Sequence, residues 1–276
     1  MNIVISFRDK DIEMAIQITN RQLKKLEPYA LDSYINELVN HCNEKFPHLK
    51  KTMGIENLKQ VLRQSVNKAN EQGFTQRGPV KFYIDLLIAF GYDFDTDPQY
   101  YWIQNILRKN EHLSQIELST ILYKQIKRYS EFTSGEDNQF LYKVAERLDS
   151  LSIHTIKVSK DSFIDNIQYL LEYIYPEKYQ LIGSEAVEQL IFESINKANN
   201  EYQFTQVNYV SLLTVLMFIL GHQFDSDPFY AWAAKEKTIR LTDNNVARNS
   251  EVVVNRLEKC AKIWLTATLK NDYSTN

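Results

Sequence analysis

A chain of 276 residues with 44% hydrophobic and 24% charged residues is long enough to bury a core of one large or two modest domains. Only 7 Gly and 6 Pro are present, which argues against all-β folds and Gly-rich phosphate loops. A net charge of -3 gives no basic footprint for nucleic acid, so nucleic-acid binding is not expected. Cys42 and Cys260 lie far apart in sequence and form no Cys-x-x-Cys pair or disulfide framework.

Residues 1–17 form an N-terminal extension in which Ile3 to Phe7 has an extended pattern. The start lacks the charged-then-apolar build of a secretory signal. The first helix is expected over Asn20 to Lys45, broken near Pro28, with Leu31, Tyr34, Ile35, Leu38 and Val39 at helical spacing. Phe46-Pro47 ends it, because a residue before proline is pushed out of the α region. The next helix carries Leu58, Val61, Leu62, Ser65, Val66 and Ala69, the stripe of a half-buried helix. Ser65 within that stripe reads as a small residue at a close helix crossing. Phe74-Thr75-Gln76 follows, with Thr75 as the expected N-cap of an almost wholly apolar helix from Phe82 to Phe90. Gly91 is expected to close it as a left-handed residue. A polar helix near Leu113 to Ser130, a break at Gly135 and a helix over Gln139 to Leu148 complete this part.

Much of this recurs. Asn67-Lys68-Ala69-Asn70 returns as Asn196-Lys197-Ala198-Asn199, an offset of 129, and Asp32-Ser33-Tyr34-Ile35 as Asp161-Ser162-Phe163-Ile164. One inserted residue then changes the offset to 130, at which Phe74-Thr75-Gln76 matches Phe204-Thr205-Gln206 and Gly91 matches Gly221. The expected fold is therefore all-α: two tandem, diverged copies of a helical bundle unit of about 130 residues, over 18–148 and 149–276. In the second copy Thr205 is the expected cap, Phe204 is placed to staple onto Tyr209, and a helix near Asn249 to Leu269 ends the unit. The longest apolar run, Val207 to Leu220, is interrupted by Asn208, Ser211 and Thr214. It reads as a core helix rather than a membrane span, which needs roughly 20 apolar residues. A cytoplasmic protein with no membrane partner is expected.

One segment carries candidate chemistry. It reads Gly91-Tyr92-Asp93-Phe94-Asp95-Thr96-Asp97-Pro98-Gln99-Tyr100-Tyr101-Trp102 in the first copy. In the second it reads Gly221-His222-Gln223-Phe224-Asp225-Ser226-Asp227-Pro228-Phe229-Tyr230-Ala231-Trp232. Asp93, Asp95 and Asp97 have the opening spacing of an EF-hand loop, but Pro98 and Gln104 stand where that loop needs Gly and Glu. The competing reading makes Asp97 and Asp227 helix caps with Pro98 and Pro228 at the first helical position. A cap tolerates Asp97→Asn; a metal ligand does not. The candidate corner residues are thus Asp93, Asp95, Asp97, Tyr100 and Trp102, with Asp225, Asp227, Tyr230 and Trp232. His41, Cys42 and His48 are close in sequence but lack a common helix face. Tyr101, Tyr129, Tyr169, Tyr173, Tyr175 and Tyr179 are candidate interface anchors or buried tyrosines. No nucleophile–base pattern appears, so no cofactor and no catalytic residue is assigned, and the chain is read as non-enzymatic.

At the Phe-Asp-x-Asp-Pro-x-x-x-Trp segment the chain resembles a group of bacterial helical proteins. They pair a Phe-Pro-ending helix with a later Gly-x-x-Phe-Asp-x-Asp-Pro corner. Here that order occurs as Phe46-Pro47 then Gly91 to Trp102, and as Tyr175-Pro176 then Gly221 to Trp232. Such proteins are companions of type VI secretion effector loci. The resemblance implies an immunity protein that neutralises a cognate toxin by direct binding, or an effector adaptor. It supplies no catalytic residue. The mild acidity suits a basic toxin such as a nuclease. The alternative is a metal-binding protein or hydrolase built on Asp93, Asp95 and Asp97.

Overall fold

A computed structural model describes the backbone of residues 3–9, 12–18, 20–242 and 246–272, and the side chains of 28–237 and 250–269. Two antiparallel strands, β1 (Ile3–Asp9) and β2 (Ile12–Ile18), pair Ile5 with Ile16 and Phe7 with Met14. From Asn20 onward every regular element is helical, as the periodicity of the sequence predicts.

Helix α1 (Asn20–Lys45) runs through Pro28 without the expected break. Tyr34, Ile35, Leu38 and Val39 are buried, whereas Leu31 is exposed. Phe46 then leaves the helical region (φ -133, ψ 57), and Pro47 opens the short α2 (Pro47–Met53), where its missing N–H leaves no intrahelical bond unmade. Gly54, at φ 76, turns the chain into α3 (Ile55–Glu71). All six apolar-stripe residues of α3 are buried, and the Ser65 hydroxyl donates back to the Val61 carbonyl. Helix α4 (Arg77–Phe90) is the centre of this part, burying Tyr83, Ile84, Leu86, Leu87, Ile88 and Phe90.

The expected Thr75 cap is not made. The N-cap of α4 is Gln76, without a side-chain cap bond. The free N–H groups of Thr75 and Gln76 instead donate to the Gln115 Oε1 at 2.8 and 3.0 Å, and the Gln115 amide returns a bond to the Thr75 hydroxyl. A side chain distant in sequence has taken over a local capping role. Helix α5 (Tyr101–Lys109) follows, then α6 (Gln115–Ser134), opened by a capping box in which Ser114 and Glu117 satisfy each other's backbone N–H. Gly135 ends α6, and α7 (Gln139–Ser150) comes next.

The remaining elements are α8 (Phe163–Ile174), α9 (Pro176–Lys197), α10 (Val207–Leu220), α11 (Ala231–Thr242) and α12 (Val246–Asp272). Helix α9 is bent at Gly183 (φ 80, ψ 163), close to the backbone of Gly54 between α2 and α3 (φ 76, ψ 163). A π-helical turn, Ala198–Tyr202, leads from α9 toward α10. The N-cap of α10 is Gln206 rather than Thr205, while Phe204 does meet Tyr209 edge-on, with ring centroids 5.6 Å apart. No single helix among the described residues is long and apolar enough to cross a membrane. Helix α10 is buried on nearly every side, as expected for the centre of a bundle.

Two hydrophobic cores result. One gathers residues of α1 to α6 around α4, and the other gathers residues of α7 to α12 around α10. Val144 and Leu148 of α7, which the repeat register places in the first unit, pack in the second core. Phe229 crosses the other way, reaching from the 3-10 turn Pro228–Tyr230 into the first core.

Candidate functional site

The two Gly-x-x-Phe-Asp-x-Asp-Pro corners meet back to back where the cores join. Gly91 and Gly221 end α4 and α10 with φ 97, ψ 153 and φ 108, ψ 152. This is not the expected left-handed cap but an extended positive-φ conformation that is almost exclusive to glycine. A Cβ on Gly91 would lie 3.3 Å from the Leu220 carbonyl oxygen, and one on Gly221 would lie 3.3 Å from that of Phe90. The conformation therefore requires glycine, and the close approach adds to the cost of a Cβ.

From each glycine the chain turns tightly, with Phe94 N–H donating to Gly91 O and Phe224 N–H to Gly221 O, both at 3.1 Å. Asp97 and Asp227 then cap 3-10 turns rather than α-helices. Asp97 Oδ1 accepts from Gln99 N–H at 2.9 Å, and Asp227 Oδ1 accepts from Phe229 N–H at 2.7 Å. The second oxygens cross over: Asp97 Oδ2 accepts from His222 N–H at 2.9 Å, and Asp227 Oδ2 from Tyr92 N–H at 2.8 Å. Each carboxylate thus closes its own turn and holds the residue after the opposite glycine. Burial pushes the Asp227 carboxyl up to about 7 and raises Asp97 as well.

Asp93 and Asp95 serve a different partner. Lys68 Nζ lies 2.6 Å from Asp93 and 3.3 Å from Asp95. In the second corner Lys197 Nζ lies 2.6 Å from Asp225 and 2.9 Å from the Gln223 Oε1. Tyr202 donates to Asp225 at 2.8 Å, and Lys237 stands 3.3 Å away. Burial opposes the Asp225 charge, but Lys197 and Lys237 outweigh it and hold the carboxyl below the ordinary range. The lysine of each Asn-Lys-Ala-Asn motif is therefore the counter-ion of its corner. Asp93 and Asp95 turn to a lysine while Asp97 turns to backbone N–H groups, so the three do not form a cation cage. Among the described residues no group of three His, Cys, Asp or Glu side chains is placed to hold a metal ion. His41, Cys42 and His48 also part company. His41 lies 2.6 Å from Asp85, Cys42 is buried in the core, and His48 packs edge-on against Trp264 with centroids 5.7 Å apart.

The sequence alone did not mark Lys178, Gln99 or His222. Lys178 is fully buried between the rings of Tyr100 and Phe218, donating to the Tyr100 hydroxyl at 3.0 Å and the Phe218 carbonyl at 2.5 Å. Burial lowers its pKa to about 8. Gln99 donates to the Met217 carbonyl at 3.1 Å. His222 lies 3.0 Å from Glu193 and 3.2 Å from the Thr96 hydroxyl. Each ties the first core to the second. Tyr100 and Tyr230 are buried, and Trp232 packs beside Phe224 and Tyr230.

Trp102 is placed differently. It stacks on Tyr129 (5.6 Å, 27°) within an open groove of about 670 Å³. Trp102, Asn105 and Ile106 of α5 form one wall, Gln125, Arg128, Tyr129 and Phe132 of α6 another, and Leu181 of α9 the far side. Phe132 and Leu181 are each 42% exposed, apolar surface left in water beside an otherwise filled core. Tyr101, Tyr169 and Tyr173 are likewise exposed, whereas Tyr175 is buried, its hydroxyl donating to the Thr133 carbonyl at 2.9 Å.

The His48–Trp264 contact gives a pH prediction. Burial lowers the His48 pKa to about 4, below its ordinary 6.5, so the fold favours the neutral ring. That contribution is complete above pH 6.5 and is lost as pH falls toward 4. Asp227 has the opposite sign: its raised folded value favours the fold at low pH and loses effect as pH rises through about 7. Comparison of the native chain with His48→Phe cancels the Asp227 contribution. In urea melts the native chain should lose roughly 2–3 kcal/mol more than His48→Phe between pH 7 and pH 4. Parallel pH profiles would show that His48 is hydrated.

No protein-family model matches the chain, and comparison with curated proteins and with solved structures finds no match.

Proposed function

We propose that this chain is a non-enzymatic protein-binding protein, an immunity protein that neutralises a bacterial effector toxin by direct contact, built as two tandem diverged copies of one helical unit. The observation that carries the binding role is the open apolar groove beside Trp102, with Phe132 and Leu181 left half in solvent. Apolar side chains left exposed together in a groove with a polar rim mark an interaction surface. The polar groups of the corners are engaged with one another, which leaves a supporting role for Asp93, Asp95, Asp97, Asp225 and Asp227. The duplication is supported by the crossed pair Asp97–His222 and Asp227–Tyr92, by the like backbones of Gly54 and Gly183, and by the lysine of each Asn-Lys-Ala-Asn motif meeting its own corner. The immunity role extends the resemblance carried by the doubled Phe-Asp-x-Asp-Pro segment.

The test is a growth assay with the protein encoded beside this chain. Expressed alone it should arrest growth, and co-expression of this chain should restore growth while the two co-purify in fixed stoichiometry. Arrest that persists although both proteins are soluble contradicts the immunity reading. Secretion of the neighbour that requires this chain, without protection, would establish the adaptor role instead.

A further inference from the structure

The groove beside Trp102 has a geometry and a charge that specify its occupant, on the premise that the chain binds a protein. Its α6 wall presents Gln125, Arg128, Tyr129 and Phe132, spaced i, i+3, i+4 and i+7. The α5 wall presents Trp102, Asn105 and Ile106, spaced i, i+3 and i+4. From Gln125 to Phe132, seven steps along α6, the wall is about 10 Å long, close to the diameter of a helix with its side chains. An apolar trough of that dimension accepts the apolar face of one amphipathic helix, whose anchors stand at i, i+3, i+4 and i+7.

Charge then selects the kind of helix. Arg128 is the sole charged side chain lining the groove, and it makes no ion pair with any described residue. Exposed Lys124 lies one turn earlier on α6, and the last turn of α5 carries exposed Arg108 and Lys109. Arg108 lines a separate pocket with Glu111, and the exposed Glu131 beyond Arg128 is paired with Lys127, so Arg128 alone sets the charge of the groove. A guanidinium at the rim of an apolar trough forms a bidentate pair with a carboxylate.

We propose that the groove receives one amphipathic helix of the partner, with an apolar stripe seated on Trp102, Tyr129, Phe132 and Leu181 and an acidic residue paired to Arg128. The acidic element is local. It is compatible with a partner of either net charge, including a basic toxin.

The probe is a capped 16-residue helical peptide with leucines at i, i+3, i+4 and i+7 flanked by glutamates, beside a twin with lysine at each glutamate position. Both are titrated against the full chain, with tryptophan emission as the readout and Trp102→Phe as the control that isolates this indole. The glutamate peptide should bind at least 10-fold more tightly than the lysine peptide. Arg128→Glu should reverse that preference, and Leu181→Asp should abolish both signals while thermal melting stays cooperative. Saturation by neither peptide overturns the proposal, as does binding indifferent to Arg128→Glu. Concentration-dependent self-association that Phe132→Asp removes would also overturn it, since a second copy would then cover the groove. Failure here, with a cognate protein still bound and neutralised, refutes the helix assignment and leaves the binding role standing.

Discussion

Asp97→Ala is expected to destabilise the chain by about 3–5 kcal/mol, because it strands buried donors on both sides of the junction. The carboxylate accepts from Gln99 N–H and from the Gln99 side-chain amide within its own turn, and from His222 N–H across the junction. Each hydrogen bond to a charged group contributes roughly 1.5–3 kcal/mol, and a buried N–H left alone adds a desolvation cost. Above pH 7, where the Asp227 carboxyl is ionised, Asp227→Ala should behave in the same way through Phe229 and Tyr92 N–H. Asp97→Asn is the sharper variant. A helix cap alone would accept Asn with little loss. Here both carboxylate oxygens face N–H donors, so the amide nitrogen of Asn must point at one of them, and roughly 1–3 kcal/mol should be lost. The double variant should lose less than the sum of the singles, since both carboxylates brace the same glycine contact. Chemical denaturation of the native chain and the four variants measures all of this. A loss below about 1 kcal/mol for Asp97→Ala would mean that water replaces the crossed bonds.

The second large effect distinguishes the two corners. Lys197 and Asp225 are 4% and 0% exposed, whereas Lys68 and Asp93 are 15% and 34% exposed. Removing one member of a buried pair leaves an uncompensated charge, at a typical cost of 3–5 kcal/mol. Lys197→Met should fall near the lower end, about 3 kcal/mol, because Lys237 and Tyr202 still meet Asp225. Lys68→Met should cost only about 1 kcal/mol, since solvent screens what remains. Replacing both members, as Lys197→Met with Asp225→Leu, should recover part of the single-variant loss, because no lone charge then stays buried. Equal losses at Lys68 and Lys197 would refute the burial argument.

The helices were legible because their signals are local. The buried stripe Leu58, Val61, Leu62, Ser65, Val66 and Ala69 follows helical periodicity, and Pro47 and Gly135 mark breaks by steric rules that need no tertiary context. At the start of α4 a distant residue replaces the local cap. Thr75 has the right chemistry to cap α4, but Gln115 reaches the same N–H groups first. The corner residues were found by repetition, while their partners were not. Nothing in the spacing of Asp97 indicates that its second oxygen reaches His222, 125 positions away. The recurrence of Lys68 and Lys197 in one tetrapeptide is the available clue that each corner has its own counter-ion. Trp102 was visible as the end of the motif, yet the groove around it depends on Phe132 and Leu181, which carry no motif at all.

Parallel affinity capture with the native chain and with Phe132→Asp and Leu181→Asp, from cells that express the neighbouring proteins, tests the binding role most directly. One stoichiometric partner should be retained by the native chain and lost from both groove variants, which remain folded by thermal melting. Retention of no partner, or of the same partner by all three proteins, would contradict it.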